Sequence, residues 1–140
     1  MAVIENHVQV QRSPEEVSDD CSDLRNELEW NPDARSVERL TAGPIGVGTR
    51  FLATWKQSGR VEVEHTRYER PRAWSTVARG PLGIRFDARV TPAGPGARLD
   101  VRFEVRPRGL ARLAFPLLLP VFRRAQRRDM ERIAHALRPA

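Results

Sequence analysis

Cysteine is almost absent from this 140-residue sequence: Cys21 stands alone, so no disulfide can form within the chain. That fits a reducing compartment. Lysine is almost absent too, with Lys56 the one exception among 24 basic residues. The arginine preference carries little functional weight by itself. The N-terminus, MAVIENHVQVQR, has no basic start followed by an apolar run, so it does not read as a signal peptide. No apolar stretch suits a bilayer: the longest, residues 110–122, holds 13 residues and is interrupted by Arg112, Pro116 and Pro120. These absences predict a soluble, cytoplasmic protein. Aromatic residues make up only 6% of the chain. They are not interleaved with the arginines as a single-strand platform requires, which argues against nucleic acid as a partner.

Signals for metals and nucleotides are missing as well. His7, His65 and His135 show no ligand spacing with carboxylates, so no metal and no cofactor are expected. GPIGVG at residues 43–48 lacks the lysine and hydroxyl residue of a phosphate loop and leads into a strand. It reads as a plain loop. Cys21 sits among acids, which raise a thiol pKa, and reads as structural.

What is present is a globular balance of 40% hydrophobic and 30% charged residues, in a length that suits one domain with one core. The net charge of +6 is divided unevenly. Residues 106–138 hold nine arginines against Asp129 and Glu131, whereas residues 13–38 hold nine acids against Arg25 and Arg35. The molecule has two poles.

The chain opens with a strand pattern, Ile4, Val8 and Val10 sharing one face. Ser13, Pro14 and Glu16 then form a helix-start signature: a capping hydroxyl, a proline in the first turn, and a glutamate reaching back. A short helix follows, and a second runs through Leu24 and Leu28 to Trp30-Asn31-Pro32. After residue 48 the period becomes two. Phe51, Ala53 and Trp55 form one such row; Val61, Val63 and His65 another. A weaker run covers residues 73–79. Ile84, Phe86, Ala88 and Val90 are followed by Leu99, Val101, Phe103 and Val105, with turn residues between the runs. This predicts an antiparallel meander with one wet face. Charge sets the register of the last two strands: Arg89 opposite Asp100, Asp87 opposite Arg102, Arg85 opposite Glu104, and Phe86 opposite Phe103. The C-terminal part has helical spacing through Leu110, Leu113, Leu117 and Val121, then Ala125, Met130, Ile133 and Leu137. Pro116 and Pro120 are expected to make its first half irregular.

Several stretches, taken in order, carry a resemblance. SPEEV follows the first strand, LEWNPD makes a tryptophan–proline turn, GVGTRF leads into a strand, YERPRAW makes a turn, and GPGARLDVRFEV forms a hairpin, with Ala97 where the pattern usually has Thr. In these the chain resembles the START-like (SRPBCC) superfamily, the helix-grip fold shared with polyketide cyclases and plant pollen-allergen proteins. The resemblance covers nearly the whole chain, as a single domain of residues 1–140. It implies an α+β fold: a curved antiparallel sheet of six to seven strands around a long C-terminal helix, with two short helices after the first strand. It also implies a cavity between sheet and helix that holds a small apolar molecule, such as a lipid or polyketide.

Alternation and the resemblance together give the expected cavity lining: Trp30, Phe51, Trp55, Val61, Val63, His65, Phe86, Val101 and Phe103, facing Leu113, Leu117 and Val121. His65 shares the parity of Val63, with Arg67 next on that face, so these two are the candidates for catalysis. Tyr68 has the opposite parity, and Asn6 is the other polar offer. Binding of an apolar ligand is the first reading. A polyketide cyclase/dehydrase-type enzyme is the alternative, although no convincing catalytic constellation is legible. A third reading is an anionic partner met by Arg123, Arg124, Arg127 and Arg128.

Overall fold

In the computed structural model, residues 2–56, 59–80 and 82–138 are described. Strand β1 (Ala2–Val10) leads into helix α1 (Pro14–Ser22) and a short 3-10 helix (Leu24–Glu29). The strands β2 (Ala34–Arg39), β3 (Arg50–Trp55), β4 (Gly59–Glu69), β5 (Ala73–Arg79), β6 (Leu82–Ala93) and β7 (Gly96–Pro107) follow, and helix α2 (Ala111–Ala136) closes the chain. All seven strands form one antiparallel sheet in the order β1-β7-β6-β5-β4-β3-β2. The first strand therefore pairs with the last.

The start of α1 follows its sequence. Ser13 Oγ accepts a hydrogen bond from the Glu16 amide at 3.2 Å and donates to Glu16 Oε1 at 3.1 Å. The β6–β7 register is the one the charges specify: Arg85 opposes Glu104, Asp87 opposes Arg102, Arg89 opposes Asp100 and Phe86 opposes Phe103. At this hairpin Gly96 is required. A β-carbon there would lie 2.1 Å from the Val10 carbonyl oxygen, because β1 ends against the turn. Strand β2 has no clear alternation. It is an edge strand with Val37 as its one β-branched residue and charges at Arg35, Glu38 and Arg39.

Two expectations about parity fail at one place. A bulge between His65 and Arg67 adds a residue to β4. Beyond it the alternation is inverted. Tyr68 lies opposite Trp74 and shares the inner face with His65, while Arg67 pairs with Ser75 and is exposed, bound to Glu69. Arg67 is thus no part of the inner face.

Helix α2 corrects the expected lining at three positions. Leu113 is 79% exposed, Leu117 82% and Val121 64%, so all three face solvent rather than the sheet. The inner stripe is Phe115, Leu119 and Phe122, continuing to Met130, Ile133 and Leu137. Its steps fit helical spacing throughout. The expected stripe contains a five-residue step from Ala125 to Met130, which rotates it off one face. Pro116 and Pro120 do not break the helix, which is continuous from Ala111 to Ala136. Both prolines are exposed, so the carbonyls they leave without a donor lie on the wet side.

The core is densest at one end. Val10, Val17, Trp74, Ala88, Val90, Leu99 and Val101 pack with Met130, Ile133 and Leu137 of α2's second half, and Trp30 and Tyr68 lean on this cluster. The acidic short helices and the arginine-rich helix come together near the same end. Yet Arg123, Arg124, Arg127 and Arg128 make no ion pair with any described residue. Carboxylates meet there instead, as described below.

Candidate functional site

The concave face of the sheet and the inner stripe of α2 bound the candidate site. Trp55, Phe51, Val61, Val63, His65, Phe86, Val101 and Phe103 all take inner positions by strand register, as alternation requires. Phe51 is fully buried and Val63 nearly so, whereas Phe86 and Phe103 are only partly covered. The Phe86 and Phe103 rings lie 4.8 Å apart, and Phe103 meets Phe122 of α2 edge-on at 6.3 Å. Beyond these rings, an open pocket of about 480 Å³ lies between α2 and the adjoining edges of β1 and β7. Ala2, Arg106, Pro107, Arg112, Phe115, Pro116 and Leu119 line it. The lining of this open hollow is mostly apolar, with Arg106 and Arg112 among its residues.

His65 is 1% exposed, on the inner face between Phe51 and Tyr68, whose rings meet it edge-on at 6.1 and 5.9 Å. Its Nε2 lies 2.9 Å from the Ser22 carbonyl oxygen. A carbonyl can only accept, so Nε2 carries the proton and Nδ1 keeps a bare lone pair. Nδ1 is buried without a hydrogen-bond partner, as is Asn6 Nδ2 on β1. Burial lowers the His65 pKa and keeps the ring neutral, against the opposing pull of the Ser22 carbonyl and Asp23.

A second buried polar group is Glu27. This residue, on the 3-10 helix, accepts hydrogen bonds from Trp55 Nε1 at 3.1 Å and Asn31 Nδ2 at 3.0 Å. Burial pushes its carboxyl up to about 7; the two hydrogen bonds oppose this and the Asp129 carboxylate reinforces it. Asp129, on α2, is raised to about 6, chiefly by burial and further by Asp33, against its bond to Arg132. Where the acidic segment meets α2, carboxylates thus face one another. Nothing in the sequence marks Glu27 among nine acids, and only its place four residues before Asn31 hints at the bond. For Phe115, Leu119 and Phe122 the signal was present, in the unbroken helical spacing to Leu137.

Burial, with help from Asp20, pushes the Cys21 thiol up to about 12, away from the nucleophilic thiolate. No helix among the described residues is long and apolar enough to cross a membrane.

A curved seven-stranded antiparallel sheet with a long C-terminal helix across it is the helix-grip fold. Solved structures share it. Ara h 8.0201 superposes with a TM-score of 0.71 at 16% identity, covering 97% of each chain. A START superfamily protein from Mycobacterium smegmatis gives 0.69 at 19% identity, over 96% of this chain and 93% of that one. A protein from Thermus thermophilus, TTHA0849, gives 0.75 at 15% identity, over 97% and 94%. The sequence itself matches the family described as polyketide cyclase / dehydrase and lipid transport over residues 1–139, and the chain belongs to that family. No curated protein matches it.

Proposed function

We propose that the protein binds a small apolar molecule in the gap between the concave face of the sheet and the first half of α2. One observation carries this reading. Phe115 and Leu119 of α2's first half line an open hollow of about 480 Å³ together with Ala2, Arg106, Pro107, Arg112 and Pro116, and on the inner face Phe86, Phe103 and Phe122 are only partly buried. Partly covered aromatic rings in a concave site offer a ligand favourable burial, on the order of 25 cal/mol per Å². The family's description includes lipid transport, which supports the same class of ligand. Arg112 in the lining favours a ligand with an acidic or strongly polar end.

The test is native mass spectrometry of the purified protein after incubation with a panel of fatty acids, sterols and aromatic polyketides, paired with thermal melting. At least one class is expected to be retained and to raise the melting temperature. Retention of none, with no melting shift, contradicts the proposal.

A second reading, catalysis of the cyclase/dehydrase type, is favoured by the bare Nδ1 of His65 beside Tyr68. A neutral imidazole with a free lone pair can take a proton from a substrate. In that case His65→Gln abolishes turnover while leaving ligand retention intact; unchanged turnover rejects His65 as the base.

A further inference from the structure

Three turns of α2 present an apolar face to solvent. Leu110 is 85% exposed, Leu113 79%, Leu117 82%, Leu118 55% and Val121 64%. Leu113, Leu117 and Val121 stand in one row at helical spacing, and that row continues through Arg124 and Arg128. Arg123 and Arg127 stand beside it. Arg112 lies near its other end. None of these five arginines forms an ion pair with a described carboxylate.

A contiguous exposed apolar face of this kind marks an interaction surface. Its charge decides the partner. A second copy packed on the leucine row by a two-fold axis would set Arg124 and Arg128 toward the other end of its partner's row, where Arg112 stands and no unpaired acid does. An acidic protein would satisfy the arginines but owes nothing to the leucines. A bilayer containing anionic lipid matches both halves: the acyl boundary takes the leucine row, and the phosphates take the arginines at either end.

We infer that the outer face of α2's first half docks on an anionic lipid bilayer. The docked helix lies in the plane of the interface, with the leucine row down and Arg112, Arg123 and Arg124 at headgroup level. The inference does not depend on ligand binding.

The test is cosedimentation of the full chain with vesicles of phosphatidylcholine alone and of phosphatidylcholine mixed with phosphatidylglycerol. Binding to the mixed vesicles is expected, weakening as salt is raised. The double variant Leu113→Glu, Leu117→Glu should lower partitioning about tenfold or more, and Arg124→Gln with Arg128→Gln should do the same. All four positions are exposed, so both variants should melt like the parent. Absence of binding to the mixed vesicles overturns the inference, as does equal binding by parent and variants. Self-association seen by sedimentation velocity and abolished by the leucine variant, without vesicle binding, overturns it in favour of a second copy of the chain.

Discussion

The two halves of α2 are built from similar residues and do different things. The second half sets Met130, Ile133 and Leu137 into a cluster with Val10, Val17, Val90 and Leu99. There the sheet, α1 and the helix meet without room between them. The first half is apolar on both sides. Phe115, Leu119 and Phe122 face the sheet, Phe115 and Leu119 beside an open hollow, and Leu113, Leu117 and Val121 face water. One helix thus holds the fold with one end and leaves an opening at the other. Apolar content alone does not say which end is core; the partners brought by the short helices decide it.

The sharpest way to break this comparison is to truncate one side chain at each end. Ile133→Ala should cost about 2–5 kcal/mol in chemical denaturation, the usual penalty for a cavity in a packed core. Phe122→Ala should cost less, about 1–2 kcal/mol, because its ring is only partly covered. Equal losses would mean that both ends are core.

The packed end also contains the carboxylate pair, which gives it a pH dependence. Glu27 and Asp129 have folded-state values of about 7 and about 6, above their ordinary 4.5 and 3.8. The folded protein therefore holds more protons than the unfolded chain across this window. The stability these two groups contribute is fully present below about pH 4 and is lost as pH rises towards 7. Asp129→Asn removes the charge facing Glu27. It should stabilise the protein at pH 8 by about 1–3 kcal/mol relative to pH 5, the size that a shift of about two units carries. Melting curves at the two pH values check this, and a parallel offset at both would remove the coupling.

The smallest expected effect falls on the outer row. Leu117→Glu should change stability by no more than about 0.5 kcal/mol, as at any exposed site. Met130→Glu, on the inner stripe, should prevent folding or nearly so. If Leu117→Glu unfolds the protein, the helix sits the other way round.

Much of the fold was written in local pattern. Period two, turn residues and cross-strand charge placed six strands and the β6–β7 register, and Ser13-Pro14-Glu16 placed α1. The features that were not legible share a cause: each depends on what a segment meets. The bulge in β4 is invisible in its composition, yet it moves Tyr68 in and Arg67 out. The facing of α2's first half is hard to read because leucines are natural core candidates, and only the spacing to Met130 and Ile133 shows that they are off the stripe. Glu27 looked like one acid in an acidic face until Trp55 and Asn31 were found bound to it.

The most direct test of the account is a titration of isotope-labelled protein with the neutral apolar dye N-phenylnaphthylamine, followed residue by residue by NMR. The account predicts shifts gathered at Phe86, Phe103, Phe115, Leu119 and Phe122, with Val10, Val17, Ile133 and Leu137 unmoved. Shifts centred on the Ile133 end, or none at saturating dye, would contradict it.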